Sequence, residues 1–210
     1  MRIVGGTLRG RALTSPTHDG LRPTSDRVRE SLFNILSHGS LNNSIHKKAP
    51  AIENDMATET NDQAGFTLKD ARILDLFAGT GALGIEALSR GARYCLFVEQ
   101  NAAARALIQH HIAEFGLGGN TRIFRRDATA MGRATSRDAF DLVFLDPPYG
   151  QGLGEKALAG AVESGWLKSG AIIVFEENAS QKIELPPTCI ELDYRRYGST
   201  QIIIAQHRPS

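Results

Sequence analysis

The run FDLVFLDPPYG at 140–150 closes an apolar segment with an acid, two prolines and an aromatic ring. Those types in that order suit one kind of chemistry. An exocyclic amine on a nucleobase is a poor nucleophile, because its lone pair is delocalised into the ring. A site that alkylates it must accept the amine hydrogens and aim the nitrogen, which takes two acceptors. The Asp146 carboxylate supplies one and the Pro147 carbonyl the other, while the fixed φ of Pro147 and Pro148 stiffens that backbone. Tyr149 offers a ring face to a base drawn out of its stack. Two prolines also serve simply to stop a buried strand. That account leaves an acid and a ring without a role at the carboxyl edge of a parallel strand, where open α/β sheets bind ligands.

A second constellation is DLFAGTGALG, 75–84, in which Gly79, Gly81 and Gly84 have the spacing G-x-G-x-x-G. Glycine turns between strand and helix let a ligand approach the backbone, and dinucleotides and S-adenosylmethionine both use them. Asp75 sits on the strand before the turn. Its carboxylate would repel a pyrophosphate but suits a cofactor carrying sulfonium and ammonium groups. Glu99, ending the next strand, is placed to accept from both ribose hydroxyls of either cofactor. Asp127, after the third strand in RRDAT, is placed toward the adenine end, and reads equally well as a solvated loop or cap residue. Phe77 and Ala128 are counted with this cofactor-binding set.

Positioning these residues takes strands alternating with helices, and from Arg72 onward the sequence provides them. RILDLF, YCLFVE, RIFRR, DLVFLD and AIIVFEE are strand-like, with helical stretches at 81–90, 101–117 and 153–165. Such alternation implies a mostly parallel sheet covered on both faces. CIELDYRRY and TQIIIAQ are separated only by Gly198-Ser199 and form a closing hairpin. Upstream, residues 2–13 read as a short arginine-bearing hairpin around Gly5-Gly6 and Gly10. LRPTSDRVRESLFNIL reads as a helix capped by Thr24 or Ser25, with Val28, Leu32, Ile35 and Leu36 on one face. Residues 40–70 are polar and unpatterned, an insertion or linker. The expected division is 1–39, 40–70 and 71–210.

The chain has 210 residues, 41% hydrophobic and 22% charged, an ordinary globular composition. It offers no apolar run of membrane-spanning length and no export signal, so a cytoplasmic location is expected. Cys95 and Cys189 have no metal-ligand spacing and read as structural. The net charge is only +1, yet residues 1–37 hold six arginines, Arg2, Arg9, Arg11, Arg22, Arg27 and Arg29, against three acids. A basic end on a near-neutral chain points to a polyanionic partner.

DPPY downstream of DLFAGTGALG resembles the motif of amino-methyltransferases that use S-adenosylmethionine. RIVGGTLRGRAL, LRPTSDRVRESLFNIL, DLFAGTGALGIEALSRGA, FVEQN and RRYGST closely resemble the RsmD family, bacterial 16S ribosomal RNA guanine-N2 methyltransferases, over nearly the whole chain. The resemblance implies a seven-stranded Rossmann-like methyltransferase fold with a basic N-terminal extension. It also implies a cofactor site at Asp75, Gly79, Gly81, Glu99 and Asp127, and a catalytic segment of Asp146, Pro147, Pro148 and Tyr149. The partner would be 16S rRNA or an assembling small subunit, held by the N-terminal arginines, with no metal required. Rival readings are an adenine-N6 DNA methyltransferase, since DPPY serves either amine, an NAD-dependent oxidoreductase, and a non-catalytic RNA-binding module.

Overall fold

The computed structural model of the chain describes residues 1–14, 26–37, 41, 66–135 and 139–209. Runs rich in Ile, Leu, Val and Phe form seven strands: β1 Arg72–Leu76, β2 Tyr94–Val98, β3 Thr121–Phe124, β4 Phe140–Leu145, β5 Leu167–Asn178, β6 Cys189–Tyr197 and β7 Thr200–His207. Between and before them lie α1 Asp26–Ser37, α2 Ala82–Ser89, α3 Ala102–Glu114 and α4 Leu153–Glu163, with 3-10 turns at Gly118–Asn120 and Ala128–Ala130. The strands make one sheet in the order β3-β2-β1-β4-β5-β7-β6. β1 to β5 pair in parallel, and β7 runs antiparallel between β5 and β6. The order reverses between β1 and β4, which opens a crevice at their carboxyl ends. This is the Rossmann-like methyltransferase fold expected from the sequence.

Alternate residues of each strand point to opposite faces, and both faces are buried. Ile73, Phe97, Phe144 and Val174 meet Phe33 and Leu36 of α1, Ile85 of α2 and Ile108 of α3. Leu74, Leu96, Val143 and Phe175 face Leu158 and Ala161 of α4 and Trp166 on the other side. β5 begins at Leu167, earlier than the AIIVFEE reading, because Leu167 still pairs with Phe140 before the register shifts near Gly170, which has φ +80°.

The N-terminal residues join the first of these cores. Ile3 and Leu13 are buried in it, and residues 2–13 form a hairpin with a single antiparallel bridge, Arg2 to Ala12. The hairpin rests on the last turn of α2, where Ser89 Oγ donates to the Gly5 carbonyl at 2.6 Å and accepts from the Leu8 amide at 2.9 Å. Gly6 permits that approach: with φ +77°, any Cβ there would stand 1.9 Å from the Ser89 carbonyl oxygen.

Arg29 departs from the sequence expectation. It was grouped with the RNA-holding arginines, but it is 0% exposed and lies on the buried face of α1 beside Leu32, Phe33 and Leu36. Its guanidinium pairs with Asp26 at 2.9 Å and with buried Glu86 at 3.7 Å, and bonds the Arg2 carbonyl. Held inside, it is out of reach of a phosphate. Arg2, Arg9, Arg11 and Arg27 are exposed. Arg22, Thr24 and Ser25 lie outside the described residues, as do most of 40–70.

Candidate active site

Three glycines in one motif do three jobs. Gly79 has φ +54°, and a Cβ there would meet nothing nearer than the Phe77 carbonyl oxygen at 3.9 Å, so the loop is open on its outer side. Gly81, with φ +77°, is the N-cap of α2, and a Cβ would crowd Ile108 and Phe97 at 3.2 and 3.3 Å. Gly84 seats α2 on the sheet, for a Cβ would lie 2.4 Å from Phe97 and 2.5 Å from Cys95 Sγ. Phe77 itself has φ +59°, a left-handed conformation that costs a non-glycine residue energy and turns the chain sharply off β1.

The acids are layered around this turn. Asp75, 2% exposed, lies under it and accepts from the Gly84 amide at 3.0 Å. Burial pushes its carboxyl up to about 8, the Gly84 amide opposes this, and the charge of Glu99 adds to it. Glu99 ties the loop to the start of α3, accepting from the Gly79 amide at 2.8 Å through Oε2 and from the Asn101 amide at 2.7 Å through Oε1. Asp127 is an exposed N-cap, with Oδ1 accepting from both the amide and the hydroxyl of Thr129 at 2.8 Å. The Thr129 amide, followed by its hydroxyl, holds the Asp127 carboxyl below the usual range.

A cleft of about 600 Å³ joins these residues to the DPPY segment. Phe77, Glu99, Asp127, Ala128 and Pro148 all line it, so four of the seven expected cofactor residues and one catalytic residue share a wall. Asp75, Gly79 and Gly81 are not among its lining residues. Sequence reasoning missed Gln100, Asn101, Arg126 and Leu153, which also line it. Gln100 and Asn101 follow directly on Glu99 at the tip of β2, a position that could have signalled them.

At the tip of β4, Asp146 is half-buried, Pro147 buried, Tyr149 half-buried and Pro148 exposed. Burial pushes the Asp146 carboxyl well above the usual carboxylate range, and Glu176, Asp75 and Glu177 add like charge to that push. Tyr149 donates its hydroxyl to Glu176 Oε1 at 2.7 Å, and the Gly150 amide meets the Glu177 carboxylate at 3.1 Å. The two glutamates end the VFEEN stretch of β5 and anchor the segment across the crevice. Their signal in the sequence was a pair of acids at a strand end, the same signal as Asp75 and Asp146. Burial first, then Glu176, also raises the Tyr149 hydroxyl far above its ordinary value.

These features have counterparts in known proteins. The model of the family described as Conserved hypothetical protein 95 matches residues 1–206. Ribosomal RNA small subunit methyltransferase D of Escherichia coli strain K12 is 35% identical over 187 residues, 89% of this chain and 79% of that one. The chain belongs to the RsmD family. Its Haemophilus influenzae relative of the same name is 31% identical over 188 residues, 89% of this chain and 83% of that one. Among solved structures, yhhF from Escherichia coli superposes on this RsmD-family chain with TM-score 0.77 and 29% identity, covering 100% of this chain and 99% of that one. The methyl donor of the family is S-adenosylmethionine, and the cleft fits it. An apolar wall at Phe77 and Ala128 suits a purine, and acceptors at Glu99 and Asp127 suit the donor's hydroxyls and amine.

Proposed function

We propose that the chain transfers a methyl group from S-adenosylmethionine to the exocyclic N2 of a guanine in 16S ribosomal RNA of the small subunit, in the cytoplasm. The observation that carries this reading is the shared wall: Pro148 of the DPPY segment lines the same cleft as Phe77, Glu99, Asp127 and Ala128. A nucleobase against Tyr149 would therefore lie beside the donor. When bound, the donor supplies an electrophilic methyl on a sulfonium.

The chain's own contribution is positioning, which is worth several kcal/mol when reactants are held in line. Asp146 and the Pro147 carbonyl accept the amine hydrogens and fix the nitrogen lone pair. Tyr149 holds the base by its ring, and Glu176 fixes the orientation of that ring through the hydroxyl. Tyr149→Phe would remove a donor from the buried Glu176 carboxylate. Exposed Arg2, Arg9, Arg11 and Arg27, together with Arg22, would hold the RNA backbone.

The experiment is methyl transfer from labelled S-adenosylmethionine to under-methylated small-subunit particles, followed by nucleoside analysis. N2-methylguanosine is the expected product. N6-methyladenosine, or transfer to DNA in preference to particles, would replace this reading with the adenine one.

A further inference from the structure

On the sheet face away from the N-terminal hairpin, the chain between β3 and β4 forms only the 3-10 turn Ala128–Ala130 among its described residues. Among the described residues no helix covers β2 and β3 there, and a recess of about 350 Å³ remains. Its most buried lining residues are Leu96, Met131, Phe140 and Trp166, and Tyr94 and Phe124 are half-buried at its sides. Arg122, Arg126 and Arg133 stand exposed around it, and none of its lining residues is acidic.

Among the described residues, the arginines are not balanced by carboxylates. No ion pair among the described residues engages Arg122, Arg126 or Arg133. Arg126 and Arg122 instead lie over the Phe124 ring, at 4.9 and 5.7 Å from its centroid. The rim is pinned in place. Trp166 Nε1 donates to the Gly132 carbonyl at 2.7 Å, and the Ala134 amide bonds the Ser164 carbonyl at 2.9 Å, which presents Arg133 from a fixed turn. Phe140 and Trp166 stack at 6.2 Å beneath. Flat aromatic and guanidinium surfaces beside unneutralised positive charge match a nucleotide, whose base stacks and whose phosphate is anionic. The volume suits one nucleotide.

We infer that this recess binds a single unpaired nucleotide of the RNA substrate, its phosphate met by Arg122 and Arg133 and its base stacked on the Arg126 guanidinium beside Phe124. This rests on the RNA-substrate reading and adds a second point of attachment. Arg126 lines both the recess and the cofactor cleft, so the recess adjoins that cleft.

The reporter is built in, because Trp166 is the only tryptophan of the chain and lines the recess. A short single-stranded oligoribonucleotide of mixed sequence should quench its fluorescence saturably, with an affinity that falls as salt rises. Arg122→Glu with Arg133→Glu should weaken that affinity roughly tenfold or more, and S-adenosylhomocysteine affinity should not change. Arg122→Gln with Arg133→Gln, expected to lose less, decides the matter if the glutamates unfold the protein. Equal quenching by inorganic polyphosphate or by an RNA duplex would overturn the inference in favour of a general anion contact. Quenching by an acidic polypeptide but not by RNA would overturn it in favour of a protein partner. Wild-type methylation of particles with unchanged KM in both double variants and a silent Trp166 would sink the recess while leaving the proposed function standing. RNA-dependent quenching in a protein that methylates no particle would uphold the recess and sink the reaction.

Discussion

At the carboxyl edge of the sheet, Asp75, Glu176 and Glu177 are buried beside half-buried Asp146, so like charges are gathered where water is scarce. At the N-terminal hairpin the buried charges are opposite and paired. Glu86, 0% exposed, accepts from the Val4 amide at 2.8 Å and from Arg90 Nε at 2.7 Å, and faces Arg29 at 3.7 Å. One side chain thereby fastens the hairpin and α1 to α2. The contrast separates two uses of buried charge. Paired opposite charge fixes structure, whereas at the cleft burial, with like charge added, raises the carboxyls of Asp75 and Asp146, which suits a site awaiting a cation.

The sharpest way to break the comparison is Asp146→Ala. Turnover on small-subunit particles should fall about 10²–10⁴-fold, the range for a lost acid-base group, with S-adenosylhomocysteine affinity nearly intact by calorimetry. Near-normal single-turnover methylation would remove Asp146 from the chemistry. The matching test at the other region is Glu86→Ala, which withdraws the buried acid facing Arg29. Breaking a buried pair from one side costs about 3–5 kcal/mol, read as a shifted denaturation midpoint. A loss typical of a surface substitution would show that the hairpin is held by its apolar contacts alone.

Smaller effects sharpen the picture of the cleft. Glu99→Ala should weaken S-adenosylhomocysteine binding by about 1–3 kcal/mol, the scale for lost charged hydrogen bonds, because both the ligand and the Gly79 amide lose an acceptor. An unchanged calorimetric affinity would confine Glu99 to holding the loop. Asp75 predicts a pH dependence. Its carboxyl titrates at about 8 in the folded chain and near its ordinary 3.8 when unfolded. Between those values the folded state binds the extra proton, so its contribution to stability falls as pH rises through the window and levels off above about 8. Asp75→Asn should flatten part of that slope in melts of the free protein. Affinity for cationic S-adenosylmethionine should rise as pH passes through the same region, and a pH-independent affinity would mean that Asp75 is not sensed by the ligand.

Much of the carboxyl edge was legible because chemistry there is written in consecutive residues. Asp-Pro-Pro-Tyr and the glycine turn keep their meaning wherever the strands carry them, and strand alternation located the ends. The hairpin was less legible. Arg9 and Arg29 are the same residue type, but one is exposed and the other sits in the core, where α1 packs against Glu86. The spacing of Arg29 from Leu32, Phe33 and Leu36 did carry a hint, since a helical face with those three buried includes position 29. The role of Gly6 was likewise not legible, because the nearness of Ser89 is a long-range fact. Glu176 and Glu177 reach the DPPY segment only because β5 lies beside β4.

The smallest expected effect divides the arginines that remain exposed. Gly10, at φ +85°, has nothing within 4 Å of where a Cβ would stand, so the hairpin tip beside Arg9 and Arg11 is open. Arg11, however, already reaches Glu114 at 3.4 Å and lies 5.0 Å from the Phe115 ring centroid. To meet a phosphate it must give up that surface pair, which is worth about 0–1 kcal/mol. Arg9 has no such competitor among the described ion pairs. In filter binding to small-subunit particles across a salt series, Arg9→Ala should lower the slope of log affinity against log salt by about one. Arg11→Ala should lower it by less, and neither should alter S-adenosylmethionine binding. If the two variants shift the slope equally, the Glu114 contact does not restrain Arg11. If neither shifts it, the hairpin is a structural clasp throughout, like its buried half, and RNA must be held elsewhere on the molecule.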